Sequence, residues 1–386
     1  MALRRIAPLA ILTLLAFHAP TSAHASRLLE QLPADSAQAA QWRAAGHTAS
    51  AESLLVLRTT SAEAEHDPRA LARLLRMRGA DLAARSRPLP ALALLDRSRR
   101  LAEALRDTAL WVRTLRWQAY AEGTLGRISE QRATARRQLQ LARAIADSSY
   151  EASALHSLGW LARRVGDWPA AQSSLEASLA LYRTLGDEGN EAFVSATLGS
   201  VYMSRGRIAL ARRTFVRALT LARKQQQPWV EAQTLNDLGA LENLAGDAAR
   251  ATGYLRQAYQ SYLAQDAQVE ALLTLANLVS SEIEQGHLDD AMALSRQGLA
   301  TADRHGLRAQ RIWFLSSMAY VEQERGRPNR AAALWRAGLA LGDTAWIENR
   351  AWCHTGLARA LATLDSMPAA LLELRGSMAR LEPRVS

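Results

Sequence analysis

Residues 155–178 read LHSLGWLARRVGDWPAAQSSLEAS, and residues 195–218, forty positions on, read SATLGSVYMSRGRIALARRTFVRA. The two stretches share Leu-Gly, then a lone glycine seven residues later, then Ala, a large apolar residue and a small one. The lone glycine recurs at 46, 126, 166, 206, 246, 286 and 326, and Ser86 and Ser366 fill the same phase, so nine positions stand forty apart without an insertion. Before the glycine, Leu155, Leu158 and Leu161 recur as on one helix face, and after it Leu175, Leu179 and Tyr182 do the same. A glycine between two helical patterns ends the first in the left-handed conformation and lets the chain reverse. The small positions mark where two helices cross closely: Gly159, Gly199 and Gly239 before the turn, Ala171, Ala211 and Ala251 after it. Pro169 and Pro328 sit where a helix start tolerates a missing N–H. The reading is a repeat of helix A, about 14 residues, a tight turn, helix B, about 18 residues, and a short loop. Gly186–Asn190 and the neighbourhood of Pro228 read as inter-repeat loops.

Working outward, the chain has 386 residues, 49% of them hydrophobic and only 6% aromatic, which supports a sizeable core and excludes wholesale disorder. Ala, Leu and Arg dominate, favouring helix over strand. The first 25 residues read as a secretory signal. Arg4 and Arg5 form the basic region, Ile6–Phe17 the apolar run, and Ala23-His24-Ala25 the cleavage site, leaving Ser26 as the mature start. The protein is therefore expected to be exported, to the periplasm or beyond. No later stretch reaches about 18 apolar residues, so no membrane span is expected. Residues 26–386 read as one continuous repeat domain, with repeats at 32–71, 72–111, 112–151, 152–191, 192–231, 232–271, 272–311, 312–351 and 352–386.

Chemistry is sparse. The only lysine is Lys224, so no phosphate-cradling Gly-Lys loop exists, and there is no dinucleotide, zinc-protease or serine-hydrolase motif. The one cysteine, Cys353, precedes His354, and neighbours on a helix point about 100° apart, which is poor geometry for a nucleophile and its base. Glu282 and Glu284, and Glu322 and Glu324, do not face each other on a helix and read as a solvated face. No enzyme activity, cofactor or metal is expected. The net charge of +10 would suit nucleic acid, but export argues against that partner.

The pattern resembles the tetratricopeptide repeat. Leu158-Gly159, Gly166, Ala171, Leu175 and Ser178 match its positions in order, as do Leu198-Gly199, Gly206, Ala211, Phe215 and Ala218, and Leu238-Gly239, Gly246, Ala251, Leu255 and Ala258. The family's proline closing helix B is missing. The period of 40 resembles the longer-helix variety of kinesin light chains and of bacterial CHAT-associated proteins. The resemblance implies an all-α, right-handed solenoid of about nine helical hairpins. It also implies a concave groove lined by helix A that binds a protein or peptide segment. The family's contact positions fall here on Arg73, Arg76, Arg113, Arg116, Tyr120, Trp160, Arg163, Arg164, Asn236, Asn243, Trp313 and Tyr320. The arginines suit acidic groups, and the asparagines suit peptide backbone. Trp160 and Trp313 read equally as inter-repeat packing, and the Arg content equally as compositional bias. Arg212 and Arg217, on helix B, are expected largely on the outer face. The implied function is an exported, non-enzymatic interaction scaffold. The alternative is the sensory or regulatory portion of a bacterial signalling or CHAT-peptidase system whose catalytic part is not in this chain.

Overall fold

The structure is a computed structural model that describes residues 22–44, 48–85, 87–341 and 347–381. Among these residues there are eighteen helices and no strand. They are α1 (Ser22–Ala44), α2 (Thr48–Ala64), α3 (Pro68–Ala84), α4 (Pro88–Ala104), α5 (Thr108–Thr124), α6 (Ile128–Ala144), α7 (Ser148–Arg164), α8 (Trp168–Leu185) and α9 (Glu188–Ser204). Then follow α10 (Ile208–Lys224), α11 (Pro228–Leu244), α12 (Ala248–Ala264), α13 (Gln268–Glu284), α14 (Leu288–Arg304), α15 (Arg308–Glu324), α16 (Pro328–Ala340), α17 (Ile347–Thr363) and α18 (Met367–Leu381). Odd-numbered helices are the A helices and even-numbered ones the B helices. The chain divides into two compact units, residues 1–161 and 162–386. The cleavable leader expected at 1–25 falls mostly outside the described residues.

In the hairpins from α3 to α14 the two helices are within one residue of equal length, which differs from the unequal pair expected. Both α5 and α6 have 17 residues, and α8 has 18. The reason lies in the described loops between hairpins from α2 to α15, which are as tight as the turns within them. Within hairpins the left-handed residue is Gly126, Gly166, Gly206, Gly246, Gly286 or Gly326, with φ between 69° and 81°. Between hairpins it is His66, Arg106, Ala146, Gln226 or Asp266, with φ of 51–54°, or Gly186 and Gly306. A Cβ in that region costs about 1–2 kcal/mol, so the five non-glycine turns are held by what surrounds them. Aspartate supplies part of the hold. Asp67, Asp107 and Asp147 directly follow His66, Arg106 and Ala146, and their carboxylates accept backbone N–H groups of the next helix, as Asp187 and Asp247 do after glycines. Gly186–Asn190 is therefore not a long loop: α9 starts at Glu188, and Asp187 accepts from the Asn190 backbone N–H at 3.0 Å. Pro228 likewise is the first residue of α11.

The small positions are where helices interlock. A Cβ on Gly199 would stand 2.6 Å from the Phe215 ring, and one on Gly239 2.4 Å from Leu255 Cγ. Phe215 and Leu255 are fully buried. The ninth repeat departs from the expected phase by one residue. There the left-handed residue is Asp365 rather than Ser366, Ala370 fills the buried alanine position, and Leu371 is exposed. The slip precedes α17, which starts at Ile347, 39 residues after the start of α15. No described helix is long and apolar enough to cross a membrane.

Candidate binding surface on the A helices

Within each unit successive A helices touch one another: α1 with α3 and α3 with α5 in the first, and α9, α11, α13, α15 and α17 in sequence in the second. Among the described residues no such contact joins successive B helices. The A helices of a unit therefore form one layer, and side chains on the layer's open side share a surface.

In the first unit that surface carries Arg73 and Arg76 of α3 and Arg113, Arg116 and Tyr120 of α5. Arg73, Arg113, Arg116 and Tyr120 are exposed, and Arg76 is half-buried. The Arg113 guanidinium lies over the Tyr150 ring at 5.9 Å, and that of Arg116 over Trp117 at 5.9 Å. Trp117 and Tyr120 meet edge to face at 5.9 Å. Burial lowers the Arg76 pKa from its usual value, and the charges of Arg113 and Arg73 lower it further. Trp160 is half-buried.

This layered hairpin geometry recurs in known structures. A Rap protein complexed with Competence and Sporulation Factor superposes with a TM-score of 0.60 at 13% identity, over 91% of this chain and 97% of that one. The apo quorum sensor NprR from B. thuringiensis gives 0.60 at 11% identity, covering 86% and 97%. A tetratricopeptide repeat protein from Parabacteroides merdae gives 0.50 at 14%, covering 71% and 94%. No protein-family model matches the sequence, and no curated protein matches it. The chain has the tetratricopeptide-repeat fold.

In the second unit the tetratricopeptide A layer is polar and internally bonded. Asn277 Nδ2 donates to Asn236 Oδ1 at 3.0 Å, and Ser281 Oγ to Asn243 Oδ1 at 2.6 Å. Asn236 and Asn243 thus spend their carbonyl oxygens between helices, and the Asn236 side chain also bonds to Asp237. Ser200 Oγ donates to Asp237 Oδ2 at 3.1 Å. Burial pushes the Asp237 carboxyl up to about 6, against that hydrogen bond and the nearby charge of Arg163. Arg163 is half-buried, and its pKa is lowered by burial, with Asp237 acting the other way. Arg164 is exposed. Trp313 packs on Phe314 and Trp352, with ring centroids 5.1 and 6.5 Å apart, so much of its surface is spent on neighbours. The Arg359 guanidinium covers the Tyr320 ring at 5.1 Å.

One expectation is corrected. Glu282 and Glu322 are not on a solvated face: they are 2% and 5% exposed, and Glu122 and Glu242 are buried in the same repeat phase. Arg256 holds Glu282 at 2.8 Å, and Arg325 holds Glu322 at 3.3 Å. The carboxylates lie four residues before the turn glycines, where the B helix folds back over the end of helix A. Arg212, half-buried, and Arg217, exposed, both on helix B α10 as expected, reach across to glutamates of the neighbouring A helices. Arg212 grips Glu242 with two bonds of 2.7 and 2.8 Å, and Arg217 reaches the buried Glu191 at 3.3 Å. In the equivalent place to these glutamates, Tyr202 donates its hydroxyl to Glu176 at 2.9 Å. These buried anchors were missed because single acids on a helix look solvated; their spacing by 40 was the available signal.

Two other polar groups are structural. Glu282, His287 and Asp290 bring three ligand-type atoms within 4.8 Å of one another; Arg256 already pairs with Glu282 at 2.8 Å, and His287 Nδ1 lies 2.9 Å from its other oxygen, so the carboxylate is engaged within the fold. Cys353 is buried with Sγ 3.1 Å from Ser316 Oγ, whereas His354 Nδ1 turns to Glu373 at 2.6 Å, so the two do not act together.

Proposed function

We propose that this protein is a non-enzymatic interaction scaffold, exported from the cytoplasm, whose A-helix surface takes a segment of a partner protein through acidic contacts. One observation carries this reading. Arg73, Arg76, Arg113 and Arg116, like Arg132 and Arg213 elsewhere, form no ion pair with a carboxylate among the described residues, but these four lie together on α3 and α5. They stand beside Trp117 and Tyr120 on one layer. Unpaired guanidiniums next to exposed aromatic rings are the composition of binding hot spots. The likeness to a Rap protein solved in complex with Competence and Sporulation Factor supports a partner-binding reading. The second reading, a regulatory portion acting on a separately encoded catalytic partner, draws support from the likeness to the quorum sensor NprR.

The surface is tested with Arg116→Glu combined with Tyr120→Ala, against Arg132→Glu on α6. Arg132 is exposed on a B helix, and the charge change is the same. Against a partner captured from the cell envelope, titration calorimetry should show about a ten- to hundredfold loss for the first variant, the worth of a charged hydrogen bond and a ring. The control should stay within about twofold and lose its small effect in added salt. Equal losses from both would mean general charge attraction and end the reading.

Export rests on Arg4, Arg5, the apolar run and Ala23-His24-Ala25. N-terminal sequencing of the protein from its native cell should begin at Ser26; Met1 retained on cytoplasmic protein would overturn it.

A further inference from the structure

Arg76 is placed at a cost. Its Nε is buried and has no hydrogen-bond partner. The ionisable groups acting on it are two more guanidiniums, Arg73 and Arg113, which lower its pKa, and the Tyr150 phenol, neutral at physiological pH, which raises it; no carboxylate is among them. Tyr150 is fixed in the group by the Arg113 guanidinium over its ring. Buried polar groups are ordinarily satisfied, and like charges ordinarily kept apart. Three cations on α3 and α5 thus act on one another beside a donor without a partner, an arrangement suited to binding an anion.

The charge count narrows its chemistry. One carboxylate pairs with one guanidinium in a flat two-point contact and leaves two cations uncompensated. A phosphate monoester carries nearly two charges at neutral pH and three terminal oxygens, one for each arginine, with the Tyr150 hydroxyl as a further donor. Building on the reading of this surface as a partner-binding layer, we infer that Arg73, Arg76 and Arg113, with Tyr150, form a site for a tetrahedral phosphate-ester dianion.

The test uses the whole mature chain and phenyl phosphate as probe, with benzoate at matched ionic strength as the planar, singly charged comparison. Calorimetric titration should give saturable phenyl phosphate binding at least about tenfold tighter than benzoate. Arg76→Met should weaken it about tenfold or more, and so should Arg73→Gln, an exposed change that leaves the core intact. Arg132→Gln on α6 should leave it unchanged. A phosphoserine peptide binding more tightly than phenyl phosphate supports the site and assigns it to a phosphorylated partner. Equal binding of the two also supports it, with a free phosphate ester as the source. Benzoate binding as well as phenyl phosphate, no saturation with phenyl phosphate, or undiminished binding by both arginine variants would overturn the inference. None of those results bears on capture of a partner through Arg116 and Tyr120, so the two readings fail separately.

Discussion

Replacing Arg212 with alanine is expected to destabilise the second unit by about 3 kcal/mol at neutral pH, because it leaves a buried carboxylate without its partner. Glu242 is only 2% exposed, and Arg212 closes on it from the preceding B helix with paired bonds of 2.7 and 2.8 Å. The pair fastens α10 to α11, so its loss opens one hairpin from the next. Arg250→Ala removes an exposed pair with Asp247 and should cost under about 1 kcal/mol. The double change Arg212→Met with Glu242→Leu should recover most of the loss, since it removes both charges and keeps apolar volume. Urea denaturation followed by circular dichroism reads all three. If Arg212→Ala and Arg250→Ala shift the midpoint alike, the buried carboxylates are not fastening the repeats.

Two glycine-to-alanine changes should act with opposite signs. In a helix interior alanine is favoured over glycine by about 1 kcal/mol. At Gly253 on α12 an added Cβ meets nothing within 4 Å, so Gly253→Ala should raise stability by up to about 1 kcal/mol. At Gly298 on α14 the same Cβ would lie 2.3 Å from two atoms of the Phe314 ring, and Phe314 is completely buried. A ring in a packed core cannot step aside, so Gly298→Ala should cost about 1–3 kcal/mol despite the better propensity. Phe314→Leu should be less harmful beside alanine at 298 than beside glycine, because space removed by one change is restored by the other. Parallel melts of the two single variants decide it; a gain at Gly298 would mean that α14 and α15 do not cross there.

The difference between these two glycines shows how far the sequence alone could be read. The turn glycines and the small residues around them announced a hairpin repeat, because a positive φ and a close crossing leave few residue choices. The tight turns between hairpins were not announced. Ala146, Gln226 and Asp266 adopt the same left-handed conformation, and nothing in an Ala or Gln advertises it. The half-period of twenty stayed hidden behind them, and the helices were read as unequal. On the binding surface, the family's contact positions placed Arg73, Arg76, Arg113, Arg116 and Tyr120 on the A layer but could not say which arginines already had partners. Pairing is a long-range property: Arg212 and Glu242 are thirty residues apart and meet only when α10 has folded against α11. The same limit made Glu282 and Glu322 look solvated.

The turns also govern how such a chain can change length in a genome. Gly206 and Gly246 are left-handed at the same point of successive hairpins, and each is followed by the residue that opens a B helix. A crossover that joins Gly206 to Asp247 deletes α10 and α11 whole, taking Arg212 and its partner Glu242 out together. The new junction keeps the backbone of the old one and inherits the capping aspartate of α12. Recombination at these glycine turns can thus add or drop hairpins in units of forty residues, with the seam prefabricated.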